Sequence, residues 1–102
     1  MVSKPRKIVW DLAARTSFKQ IIFHIKKDSL QNAEKVKNEI LTSIACLKNE
    51  PEVKHAADKY KQFNDGSFRA FELHRIRVSY CISGDLIIIV RIRHTSMRPE
   101  SY

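Results

Sequence analysis

The 102-residue chain carries 19 Lys and Arg against 11 Asp and Glu, a formal net charge of +8, with 43% hydrophobic and 29% charged residues. That balance excludes a disordered chain and a second large core, and it favours negatively charged partners such as nucleic acid or an acidic protein. No stretch approaches the roughly 18 apolar residues of a membrane span, and MVSKPRKIVW has no apolar run behind its basic residues, so a single cytoplasmic domain over residues 1–102 without a membrane partner is expected.

Lys7 to Trp10 reads as a short strand, with Ile8 and Trp10 on one face. Asp11 then caps a helix whose Phe18, Ile21, Ile22 and Ile25 recur at helical spacing as far as Lys27. Asp28 and Ser29 offer the next cap, with Gln31 at capping-box spacing from Asp28, and Ala33, Val36, Ile40, Ile44 and Leu47 trace a second stripe that stops at Asn49 and Pro51. So short a link predicts an antiparallel helix pair. His24 reads as half-buried packing on the first helix. Cys46 and Cys81 lack any spacing suited to zinc, so neither disulfide, metal nor cofactor is expected and both read as packing residues.

The polar stretch EPEVKHAADKYKQFNDGS, residues 50–67, reads as a long loop ending at Asp65-Gly66, with Lys59 and Lys61 interleaved with Tyr60 and Phe63. Three strands follow, at Phe68 to His74, Arg75 to Ile82 and Leu86 to Arg93. The order β-α-α-β-β-β predicts an α+β fold, its mainly antiparallel sheet covered by the helices on one face.

The link between the last two strands decides which side chains meet. A two-residue loop pairs Ile82 with Ile87 and Val78 with Arg91 and places Arg91 and Arg93 on the same side as Ile76, Val78, Tyr80 and Ile82, burying charge without partners. A three-residue Ser83–Asp85 loop with Gly84 left-handed pairs Ile82 with Leu86, Tyr80 with Ile88, Val78 with Val90 and Ile76 with Ile92, and is therefore the expected arrangement. It sets Arg77 across from Arg91 and Arg75 across from Arg93, four guanidinium groups in one patch. Such a patch requires screening by solvent, neutralisation by the chain's own carboxylates, or a bound anion.

The helix pair, LKNEP closing the second helix, RIRVSY on the third strand and IIIVRIRHTSMRPESY at the end together resemble the RelE/ParE superfamily of toxins of type II toxin-antitoxin systems, among them plasmid stabilisation proteins. The resemblance implies a cognate antitoxin partner and one of two activities. RelE-like members are ribosome-dependent mRNA endoribonucleases that need no metal; ParE-like members inhibit DNA gyrase without being enzymes, here through the helical hairpin. An inactive binding relative is a third possibility.

Arg77 before Tyr80, His94 after the last strand and the terminal Tyr102 match positions of the ribonuclease branch, whereas Arg69, Phe71 and Ser96 stand where some of its members carry other cations. On that reading His94 is the general acid or base, because its side chain titrates near neutrality. Arg77 and Arg93 hold the phosphate as the ribose 2'-OH attacks, and Tyr102 stacks on a base or donates a hydrogen bond. Arg69, Arg75, Arg91, Arg98, Lys59 and Lys61 then surround the RNA.

Overall fold

The computed structural model describes residues 6–48, 55–96 and 102. Its elements are β1 (Lys7–Trp10), α1 (Leu12–Asp28), α2 (Leu30–Ala45) with a 3-10 turn at Cys46–Lys48, then β2 (Phe68–Leu73), β3 (Ile76–Ser83) and β4 (Leu86–His94). The strands form one sheet in the order β1-β4-β3-β2. β1 runs parallel to β4 and the other neighbours are antiparallel.

The helix boundaries follow from local chemistry. Asp11 accepts a hydrogen bond from the Ala13 N–H at 2.9 Å and starts α1, and Lys26 and Lys27 place positive charge at its carbonyl end. Ser29 serves both helices: its N–H closes α1 onto the Ile25 carbonyl, and its Oγ accepts from the Asn32 N–H at 3.1 Å to open α2. Ser29 rather than Asp28 is therefore the cap, and a one-residue link packs α1 against α2. Phe18 and Ile22 of α1 and Ala33, Val36, Ile40 and Ile44 of α2 form the core with Ile76, Val78, Tyr80, Ile87, Ile89 and Ile92 of the sheet. Trp10 packs at its edge with its ring 5.6 Å from that of Phe18.

The β3–β4 hairpin departs from the expected alignment. Ser83 pairs with Leu86, Ile82 with Ile87 and Tyr80 with Ile89, so the connection has two residues, Gly84 at φ 54° and Asp85. The register then shifts between Ser79 and Tyr80: Ser79 pairs with Arg91, Val78 with Ile92, Arg77 with Arg93 and Ile76 with His94. Val90 is the extra residue of a β-bulge, which resets the alternation. A two-residue turn thus keeps Arg91 and Arg93 off the core face after all.

The β2–β3 turn is His74-Arg75, both in the left-handed region at φ 53° and 62°. Arg75 therefore sits in an exposed turn, and the expected pairing of Arg75 with Arg93 is replaced by that of Arg77 with Arg93. Two smaller expectations also change: Cys46 and His24, read as packing residues, are exposed. His55 stacks on Phe71 at 4.8 Å, and His74 is hydrogen-bonded to Glu39 of α2.

Candidate functional site

With Ile76, Val78 and Tyr80 committed to the core, the intervening Arg77 and Ser79 face the other side of the sheet, joined through register by Arg93 and Arg91 and on β2 by Glu72 and Ala70. Arg77 directly opposes Arg93, an arrangement that by itself is destabilising by up to about 1 kcal/mol. The loop between α2 and β2 supplies the compensation.

Ala57 bridges to Arg69 at the edge of β2, and the next residue, Asp58, is carried over this face and is only 2% exposed. Its Oδ1 accepts from Arg77 Nη2 at 2.8 Å and from the Tyr60 N–H at 3.1 Å. Its Oδ2 accepts from the Tyr102 hydroxyl. The other arm of Arg77, Nη1, donates to Glu72 at 3.0 Å. Burial pushes the Asp58 carboxyl up, but the hydrogen bonds from Tyr102, Arg77, the Tyr60 amide and Ser79 outweigh it and hold it below the ordinary carboxylate range. Burial likewise favours loss of the Arg77 proton, and the bonds to Asp58 and Glu72 reverse the balance, so its charge is reinforced. The Tyr102 phenol is raised well above its ordinary range by burial and by the bond to Asp58.

Tyr102 is clamped by its backbone as well. Its N–H donates to the Tyr60 carbonyl at 2.9 Å and its own carbonyl accepts from the Gln62 N–H at 2.6 Å. Around it cations lie over aromatic faces: Arg91 4.8 Å and Lys61 5.5 Å from the Tyr102 ring centre, and Arg77 4.9 Å and Lys59 5.2 Å from that of Tyr60.

The nominated residues therefore divide. Arg77, Arg91, Arg93 and Tyr102 share the open face, with Lys59 and Lys61 on the loop beside it. His94 does not join them. Paired with Ile76, it projects toward the helix side, where with Ser17, Gln20, His24 and the neighbouring Arg93 it lines a groove of about 450 Å³, and its Nδ1 meets Ser96 Oγ at 2.6 Å. Arg69, across from Tyr80, belongs to that side too and donates to the His55 carbonyl at 2.6 Å. Arg75 is in the turn, and Arg98 lies outside the described residues. Sequence reasoning missed Asp58, the centre of the cluster. The available signal was the cationic patch itself, which needed a counter-ion.

The sequence model of the family described as ParE toxin of type II toxin-antitoxin system, parDE, matches residues 8–99. The chain belongs to this family. It is the toxin component of a type II toxin-antitoxin system, within the RelE/ParE superfamily. Among solved structures the toxin is similar to a chain of the chromosomal ParDE system from P. aeruginosa, with a TM-score of 0.71 at 17% identity over 90% of this chain and 98% of that one. A chain of the RelBE2 toxin-antitoxin complex from Mycobacterium tuberculosis gives 0.56 at 14% identity over 91% and 94%. A conserved hypothetical protein from Helicobacter pylori gives 0.56 at 17% over 89% and 96%. Identities this low speak for the fold. Among curated protein sequences nothing matches the chain. No helix among the described residues is long and apolar enough to cross a membrane.

Proposed function

We propose that the toxin acts by binding rather than by cutting RNA, as a non-enzymatic inhibitor of DNA gyrase in the cytoplasm. The observation that carries this reading is the closure of the arginine face by Asp58. Attack of a 2'-OH on phosphorus needs a proton acceptor, a cationic cradle for the phosphorane and a proton donor placed around one point. Here both arms of Arg77 are taken by Asp58 and Glu72, and the Tyr102 hydroxyl donates to the same Asp58. His94, the histidine expected to move the proton, pairs with Ile76 and so projects toward the other side of the sheet from Arg77.

The antitoxin, on the same reading, covers a separate surface. Trp10, Phe18, Ile22, Phe23 and Leu41 floor a groove of about 560 Å³ along the helices, rimmed by Arg15, Lys19, Lys26 and Lys37. An apolar floor within a cationic rim fits the apolar stripe of an acidic amphipathic segment.

One observation favours the second reading, ribosome-dependent mRNA cleavage: Arg77, Arg91 and Arg93 do share one face. Purified toxin separates the two. Loss of gyrase supercoiling with intact mRNA, and growth arrest retained in His94→Ala, are expected. Cleaved mRNA in ribosome-programmed reactions, with supercoiling untouched, would establish the nuclease instead.

A further inference from the structure

We propose that Phe63 is the anchor of the toxin on its target, entering an apolar pocket rimmed by carboxylates on a protein surface; this rests on reading the target as gyrase. Phe63 is 102% exposed, against 76% for Leu12, 63% for Leu30 and 62% for Phe23, the next most exposed large apolar side chains. The Phe23 ring is shielded by Lys27 at 5.3 Å. Among the described residues the Phe63 ring has neither an aromatic nor a cationic neighbour of that kind.

Its backbone is unusual as well. At φ 54° Phe63 is a bulky residue in the left-handed region, a conformation that persists only where the surroundings impose it. The surroundings are explicit. On one side the Gln62 N–H is held by the Tyr102 carbonyl at 2.6 Å. On the other, the Asn64 side chain donates to the carbonyls of Phe68 and Asp58 at 2.8 and 3.3 Å and accepts from the N–H groups of Gly66 and Phe68 at 2.9 and 3.2 Å. The ring is thus presented in solvent on a backbone held by hydrogen bonds on either side, the condition under which a single aromatic contributes most to association.

The charges beside it select the partner. Asp58 is paired with Arg77, which leaves the exposed Asp65 carboxylate against two lysines, Lys59 and Lys61, on the same loop, a net positive balance that favours a carboxylate-bearing partner. A stacked single strand fits less well. Lys59 lies over Tyr60 and Lys61 lies 4.8 Å from the Phe68 ring centre as well as over Tyr102, so those faces are occupied and Phe63 alone remains for a base.

The test measures binding of the full-length toxin to immobilised gyrase, to its antitoxin and to a single-stranded oligonucleotide, with growth arrest in parallel. Because the Phe63 side chain is fully exposed, Phe63→Ala keeps its melting temperature and its antitoxin affinity. Gyrase affinity is expected to fall about 30-fold or more, while Phe63→Leu stays within a few-fold and Lys59→Glu with Lys61→Glu weakens binding. Gyrase binding unchanged in Phe63→Ala overturns the anchor and leaves the gyrase reading standing. If the wild-type toxin does not bind gyrase, that reading fails, and the anchor stands only if Phe63→Ala still abolishes arrest; arrest at the wild-type level overturns it. Loss of oligonucleotide binding alone overturns the assignment to a protein pocket.

Discussion

Replacing Asp58 by Asn removes one negative charge at nearly constant shape and leaves Glu72 as the carboxylate bonded to Arg77 among the described residues. Breaking a buried ion pair by removing one partner costs about 3–5 kcal/mol. The Asp58 side chain is 0% exposed but that of Arg77 is 12% exposed, and Glu72 remains bonded to it, so the lower end applies. A loss of about 3 kcal/mol in a domain of this size lowers Tm by roughly 12–24 °C, a large share of a typical 5–15 kcal/mol stability. Thermal unfolding followed by circular dichroism at pH 7 measures it, and a cycle with Arg77→Gln isolates the pairwise part. The same variant has a pH signature. Because the folded carboxyl sits below its unfolded value of about 3.9, its contribution is present above that pH and is lost as pH falls through the folded value. Asp58→Asn should therefore flatten the acid limb of the stability profile. A Tm change of only a few degrees would show that the carboxylate is solvated and Arg77 available to a phosphate, as a nuclease requires.

Tyr102→Phe deletes the hydroxyl donor to Asp58 and is expected to cost about 2 kcal/mol at neutral pH, the range for a bond to a charged acceptor. Since the folded phenol is raised, the wild-type contribution is full below about pH 10 and lost as pH rises towards the folded value; the variant should lack that alkaline loss in urea titrations at stepped pH. Arg75→Gly relieves a left-handed residue that costs about 1–2 kcal/mol, less up to about 1 kcal/mol of glycine chain entropy, so Tm should rise by a few degrees. Growth arrest should be unchanged, because the turn places Arg75 off the arginine face.

Much of the fold was legible because its signals are local. The bounds of β1, the Asp11 cap and the stripes of both helices need only neighbouring residues. Cap chemistry went one residue astray because Asp28 and Ser29 are both competent, and the tertiary path chose Ser29. The His74-Arg75 turn carries neither Gly nor Asn, so nothing marks its two left-handed residues, although strand pairing on both sides enforces them. The β4 register failed for a sharper reason. A three-residue loop, or a two-residue loop followed by a bulge, each brings Arg91 and Arg93 out of the core, and the isoleucine run at Ile87, Ile88 and Ile89 fits either face. Hydrophobic patterning cannot distinguish one inserted residue at the turn from one at Val90. Asp58 was harder still: it meets Arg77 across 19 residues of sequence and Tyr102 across 44, through a loop with no periodic pattern.

These features belong to one chain of cause. The bulge at Val90 delivers Arg91 and Arg93 to the face that already holds Arg77, and a face so charged is stabilised by an internal anion. Asp58 supplies it, which obliges the loop to cross the sheet edge through the Ala57–Arg69 bridge and to accept Tyr102 as a further clamp. The Asn64 and Gln62 contacts that finish this closure are the ones that fix the backbone of Phe63. The loop that pairs Arg77 with Asp58 therefore also holds Phe63 out from the surface. On the proposed reading, the hydrogen bonds that occupy both arms of Arg77 and those that hold the Phe63 backbone belong to one network.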